Sequence, residues 1–168
     1  MAKVLVAYAT KTGTTKEIAQ EIARALQAEG LDAEARGIGS VEGLEGWSAV
    51  IVGAPINGMS WLPEALGFVR DHASALRSLP TAYFLVSYLL FQGGGFWKAR
   101  IRAALDRVSA IAPPVGLGMF GGRLPAPLPT AARVLFGVRK GAPLDLVNPE
   151  AARAWARQLA PRLARVGS

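Results

Sequence analysis

Val4-Leu5-Val6-Ala7-Tyr8-Ala9-Thr10-Lys11-Thr12-Gly13-Thr14-Thr15 runs from an apolar stretch straight into a hydroxyl-rich one, and the residues after it switch to helical spacing. The run Val4 to Tyr8 is rich in β-branched and aromatic residues and short enough for a buried strand. Ile18, Ile22 and Leu26, with Ala19 and Ala23 beside them, then recur on one helical face. Thr14 and Glu17 fit a capping box, so the helix is expected to begin inside the loop. Its first backbone N–H groups and its positive dipole end would point at whatever the loop encloses. Gly13 lets the backbone approach closely, the threonine hydroxyls can donate, and Lys11 is the one cation within the loop. Neither a G-x-x-x-x-G-K-[ST] loop nor a G-x-G-x-x-G turn follows the strand. A loop rich in hydroxyls rather than glycines suits a terminal monophosphate. By itself it also fits an ordinary strand-to-helix turn, where Thr and Gly are common.

The rest of the chain supplies the context. Strands are expected over Asp32–Ile38, Trp47–Ala54, Thr81–Tyr88 and Pro114–Phe120. Helices are expected from Pro63 to Leu76, from Phe96 to Ile111, and from Asn148-Pro149-Glu150 through Trp155, Leu159 and Leu163, the last opened by an N-cap and a first-turn proline. Strands apolar on both faces that alternate with helices predict an open parallel sheet covered on both sides. Ligands of such sheets sit at the carboxyl ends of the strands. The loops there carry Ile56-Asn57-Gly58-Met59-Ser60-Trp61 after the third strand, Ser87-Tyr88-Leu89 and Gly93 to Gly95 after the fourth, and Gly121-Gly122-Arg123 after the fifth. Asn57-Gly58 is a pair whose peptide can reorient, and Met59 and Trp61 suit stacking on a flat ring. Arg123 to Val147, with four prolines, breaks the alternation. Its apolar-basic segment Ala131 to Lys140 predicts a short amphipathic helix, suited to a membrane surface, a partner groove or a packed connection.

The 168 residues are expected to make one domain. The absence of cysteine excludes disulfides, thiolate metal sites and cysteine nucleophiles, and the single His72 excludes a histidine metal cluster. The beginning of the chain has no signal-peptide pattern, and the longest apolar run, Ala82 to Phe91, falls short of the ~20 residues that span a bilayer. A cytoplasmic protein is the expectation. Net charge is +7, divided as −2 over residues 1–95 and +9 over residues 96–168. That asymmetry points to an acidic partner such as an anionic membrane surface or a carboxylate-bearing molecule. Nucleic acid is disfavoured, because the arginines scatter over several helices without interleaved aromatics.

On the Thr10 to Thr15 loop, the Gly53-Ala54-Pro55-Ile56-Asn57-Gly58 turn and the order of its elements, the chain resembles the flavodoxin-like proteins over residues 1–168. The resemblance implies an open five-stranded parallel sheet of order 2-1-3-4-5 with helices on both faces. It implies flavin mononucleotide (FMN) as cofactor, with Thr10, Lys11, Thr12, Gly13, Thr14 and Thr15 on the phosphate. Ile56, Asn57, Gly58, Met59, Ser60 and Trp61 would then lie along one side of the isoalloxazine, with Ser87, Tyr88 and Leu89 near its pyrimidine edge, and Gly121 and Gly122 would complete the set. Within that family the chain is most similar to the menaquinone-dependent protoporphyrinogen oxidases, through Ile18-Ala19 to Leu26, Phe68-Val69-Arg70-Asp71-His72 with Leu76, Pro80-Thr81-Ala82-Tyr83-Phe84 and Gly121-Gly122-Arg123-Leu124-Pro125. It departs from them in a shorter, less basic Tyr88 to Phe96 and in Ala142 to Pro149, which lacks their polar and acidic pattern. The implied function is FMN-dependent oxidation of a porphyrinogen with electrons passed to a quinone, helped by a basic edge that attracts propionates or an anionic membrane. Two alternatives stand beside it: an electron-transfer flavodoxin serving an acidic redox protein, and a binding module that has lost the cofactor. No side chain stands out as a catalytic acid or base, which leaves the chemistry to the flavin.

Overall fold

Val4, Leu5, Val6 and Ala7 are fully buried, because successive side chains of one strand point to opposite faces and both faces here are covered. The computed structural model describes residues 2–57 and 60–164. Its strands are β1 (Lys3–Tyr8), β2 (Asp32–Gly37), β3 (Ala49–Asn57), β4 (Ser60–Trp61), β5 (Thr81–Ser87) and β6 (Gly116–Gly121). The helices are α1 (Thr14–Ala28), α2 (Pro63–Asp71), α3 (Ala73–Ser78), α4 (Leu89–Gln92), α5 (Gly95–Ile111), α6 (Thr130–Phe136) and α7 (Pro149–Leu163).

The sheet runs β2-β1-β3-β5-β6, with every neighbouring pair parallel. For the five long strands this is the predicted order. The addition is β4, a two-residue strand that folds back antiparallel on the end of β3, pairing Ile56 with Trp61. On one face α1 and α7 close over Val6, Ile51 and Phe84 with Ile18, Ile22, Leu26, Leu159 and Leu163. On the other, Leu5, Val50, Val52 and Leu85 meet Phe68 and Val69 of α2, Leu76 of α3, and Ile101, Leu105 and Val108 of α5. All seven residues of β5 are buried.

Three local expectations change. The helix expected from Pro63 to Leu76 is interrupted at His72 (φ −109°, ψ 17°), so α2 and α3 are separate. The third strand continues three residues past Ala54 to Asn57, because β4 supplies pairing partners for its end. The capping box at Thr14 and Glu17 does not form: Gly13 is the N-cap, at φ 90° in the left-handed region, and no side chain caps the helix. At α7 the expected start is found, with Asn148 Oδ1 accepting from Ala151 N at 3.1 Å ahead of Pro149.

The irregular stretch between β6 and α7 is tied down at several points. Leu124 N donates to Leu144 O at 2.8 Å and Leu146 N to Gly122 O at 3.0 Å. Tyr88 Oη donates to Pro143 O at 2.7 Å. Gly94 N bonds Phe136 O at 2.8 Å, and Trp97 Nε1 bonds Leu135 O at 2.9 Å. The segment is thereby strapped across the carboxyl ends of β5 and β6 and onto the start of α5.

Candidate functional site at the strand carboxyl ends

Because β1, β3, β5 and β6 run parallel, their carboxyl ends converge, and a cavity of about 200 Å³ opens among them. Thr10, Lys11, Thr12, Thr14 and Thr15 line it from the loop after β1 and the start of α1. Pro55 and Ile56 come from β3, Val86 from β5, and Gly122 and Arg123 from the turn after β6. A concavity of similar size, about 210 Å³, lies between Gly116 and Leu117 of β6 and Trp155 and Arg162 of α7, but at the amino end of the strand and without hydroxyls. Of these two, the first is at the strand ends where the topology places ligands.

The loop is shaped by its own hydrogen bonds. Thr10 Oγ1 accepts from Gly13 N at 2.8 Å, which curls the chain back before the helix starts. The Thr12 and Thr14 hydroxyl oxygens lie 3.4 Å apart, so two hydroxyls are held together at the cavity. The first intrahelical bond is Glu17 N to Gly13 O, at 3.1 Å. The N–H groups of Thr14, Thr15 and Lys16 precede it and have no side-chain cap. Uncapped amides, a dipole end and paired hydroxyls around a small cavity are the donor set of an anion site.

Charge at the rim is balanced. Arg123 Nη1 donates to Glu17 Oε2 and Arg123 Nε to Asp145 Oδ2, each at 3.1 Å. Glu17 is the acid of the first helical turn, so Arg123 neutralises a carboxylate that would otherwise repel an anion. Asp145 also accepts from Val147 N at 3.0 Å, and that bond, followed by Arg123, holds its carboxyl below the usual carboxylate range. The hydrogen bonds to Glu17 and then Asp145 push the Arg123 guanidinium up, so it stays charged. Lys11 pairs with no carboxylate among the described residues. Net attraction for an anion therefore rests on amides, hydroxyls and Lys11.

The expected site residues do not all meet. Thr10, Lys11, Thr12, Thr14, Thr15, Ile56 and Gly122 share the cavity, and Gly13 supplies its turn. Gly58 and Met59 lie outside the described residues, and Asn57 is placed only through its backbone in β3. Ser60 is half-buried in β4, where its hydroxyl faces Arg107 at 3.5 Å. Trp61 is turned inward: 2% exposed, it donates from Nε1 to the carbonyls of Ala54 and Phe84 and meets Tyr83 edge-on. Its indole belongs to the core rather than to the cavity surface. Ser87 is buried and accepts from Leu90 N, capping the turn of α4, while Leu89 is half-buried at the start of that helix. Tyr88 faces a separate concavity with Leu124 and Arg133, and Gly121 another with Phe91 and Leu146. At Gly122 a Cβ would stand 3.1 Å from Tyr88 N, so any side chain there needs the chain after β5 to give by a few tenths of an ångström.

Pro55, Val86 and Arg123 are cavity residues that the motif-based site did not contain. Arg123 had a signal, since it follows Gly121-Gly122 after the last strand, but its pairing with Glu17 spans 106 residues and is invisible to local pattern.

A family model described as the flavodoxin domain matches residues 5–128. The chain is 31% identical over 87 residues to protoporphyrinogen IX dehydrogenase [quinone] of Escherichia coli K12, a match covering 51% of this chain and 48% of that one. The protein of the same name from Escherichia coli O157:H7 matches to the same extent. The chain spans about half the length of these relatives. Among solved structures it is similar to oxidised flavodoxin 2 from Bacillus cereus, with a TM-score of 0.62 at 19% identity over 96% of this chain and 99% of that one. It is likewise similar to two-electron reduced flavodoxin from Megasphaera elsdenii, with a TM-score of 0.57 at 19% identity over 92% and 98% of the two chains.

Proposed function

The chain belongs to the flavodoxin-domain family, and from that premise we propose that it is an FMN-dependent redox protein whose cavity at the strand carboxyl ends takes the cofactor's phosphate. The observation that carries this is the uncapped start of α1 facing a cavity lined by four threonines and Lys11. FMN, when bound, supplies one- and two-electron transfer. The residues that would hold it by the phosphate are Thr10, Thr12, Thr14 and Thr15 with the amides of the first turn, and Lys11 adds the charge. About 200 Å³ is small beside the 300–1,000 Å³ of ordinary ligand pockets. It suits the phosphate end; Ile56 and the Tyr88 loop would border the flat ring.

Titration of flavin-free protein with FMN and with riboflavin tests the reading. FMN should bind at least ~100-fold tighter, since the phosphate gains several charge-assisted hydrogen bonds. Equal affinities would overturn the phosphate assignment.

For the reaction, the reading we favour is oxidation of a porphyrinogen-like substrate with electrons passed to a quinone. It is supported by the half-chain match to a protoporphyrinogen IX dehydrogenase that uses quinone and by the +9 charge of residues 96–168, suited to carboxylate-bearing substrates. Anaerobic mixing of flavin-loaded protein with protoporphyrinogen should bleach the flavin while porphyrin fluorescence rises faster than with free FMN. The likeness to single-domain flavodoxins over nearly the whole chain supports a second reading, an electron carrier for an acidic redox protein. Tight FMN binding without substrate turnover would select it.

A further inference from the structure

Among the described residues, the most exposed large apolar side chains are Val134 (68%), Phe96 (65%) and Leu135 (62%). They come from two short segments held side by side. Gly94 N bonds Phe136 O, Trp97 Nε1 bonds Leu135 O, and the Trp97 ring stacks edge-on between Phe96 and Phe136, with centroids 5.1 and 5.0 Å away. Phe136 thus turns toward the body of the protein, whereas Val134 and Leu135, one turn of the same helix, stand in solvent. Helix α6 has seven residues and none of them is buried. A helix that short gains little from propensity and normally depends on packing an apolar face. Apart from Phe136, which packs on Trp97, its large apolar residues Val134 and Leu135 stand exposed.

Charge surrounds the apolar tips on one side only of the scale. Residues 91–102 and 130–141 contain six Lys and Arg and no Asp or Glu. The Arg100 guanidinium lies over the Phe96 ring at 5.7 Å from its centroid, and Arg139 and Lys140 are exposed just past the end of α6. Helix α6 begins at Thr130, beyond residue 128 where the family match ends, whereas Phe96 and Arg100 lie within the match.

We propose that the start of α5 together with α6 docks onto an anionic lipid bilayer, with Phe96, Val134 and Leu135 set into the boundary between headgroups and acyl chains and Arg100, Arg139 and Lys140 on lipid phosphates. Apolar tips ringed by cations, with no acid among them, match what an interfacial element needs. A stable protein interface buries about 800 Å² per partner, far more than three side chains present. No helix among the described residues is long and apolar enough to cross a membrane, so the contact is peripheral. Docking here would bring the carboxyl edge of β5 and β6, which α4 and the strap cover, toward the bilayer. The contact does not depend on the flavin reading.

Co-sedimentation of the full chain with vesicles, of phosphatidylcholine alone or with about a third phosphatidylglycerol, tests it, using flavin-free and flavin-loaded protein in parallel. Binding should require the anionic lipid and weaken with salt. V134D/L135D should lower the affinity about tenfold or more. R100Q/R139Q/K140Q should lower it about five-fold per charge removed. These positions are exposed, so thermal melts and FMN titrations of both variants should match the parent, separating loss of docking from loss of fold or of cofactor. Absence of vesicle binding, equal binding to both lipid mixtures, or variants that bind as well as the parent would overturn the proposal. Capture by immobilised polyglutamate without vesicle binding would overturn it too, and would identify the patch as a docking surface for an acidic protein.

Discussion

At the scale of single residues the site is a set of donors held open. Thr14 is 6% exposed and Thr15 1%, so neither hydroxyl is available to bulk solvent as a loop threonine ordinarily is. Thr14→Val keeps the shape and removes one donor. Isothermal titration should show FMN affinity falling roughly 10- to 100-fold, the cost of one hydrogen bond to a charged group, with riboflavin affinity unchanged. Arg123 acts through what it neutralises. Arg123→Gln leaves the Glu17 carboxylate uncompensated at the rim, so FMN should bind more weakly, and raising salt should restore part of the loss by screening. The Arg123–Asp145 contact has a pH dependence whose sign follows from the depressed Asp145 carboxyl. Its contribution is complete above the ordinary aspartate value of about 3.9 and is lost as pH falls through the lower folded value. Amide exchange around Leu144 to Val147 should therefore accelerate only in strong acid, and in Asp145→Asn should no longer respond to pH there beyond the intrinsic rate.

Between elements, two contacts fix the packing around β5. Tyr83 in β5 is fully buried, and its hydroxyl donates to Ala112 O, just past the end of α5, at 2.7 Å. Burial pushes its phenol far above the ordinary tyrosine value, so it stays a donor at any pH the fold survives. Tyr83→Phe would strand the Ala112 carbonyl and should cost about 1–3 kcal/mol, read as a lower urea midpoint with an unchanged slope. On the other face, a Cβ at Gly53 would run into the Phe84 ring. Gly53→Ala should destabilise by about 1–3 kcal/mol through overpacking within β3, two residues ahead of Pro55 at the cavity. Trp61 shows how an element overrides a motif. Placed by β4 beneath β3 and β5, its indole satisfies two backbone carbonyls and fills the core, which a reading of loop residues as ligand contacts has no means of anticipating.

For the molecule as a whole, charge and architecture are divided along the chain. The first 95 residues carry −2, and the rest, which contributes α5, the strap and α7, carries +9. A unit charge about 10 Å away is worth roughly 0.4 kcal/mol in water, on the order of 20 mV for one electron. The positive excess should make bound flavin easier to reduce, so its midpoint potential should fall as salt is raised and the field is screened. Spectroelectrochemistry at low and high salt measures this, and a potential that ignores salt would confine the charge to surfaces remote from the ring. Sequence alone determined the alternation of strand and helix, the strand order through family resemblance, and the placing of a hydroxyl-rich loop at the carboxyl end of the first strand, because these rest on local periodicity, turn chemistry and a contiguous motif. Tertiary structure alone decided that Gly13 rather than Thr14 is the N-cap of α1, that Arg123 reaches Glu17, that Trp61 turns inward, and that Val134 and Leu135 are left in solvent. Each of those depends on which distant backbone groups and charges arrive at the same place, and spacing along the chain does not encode that.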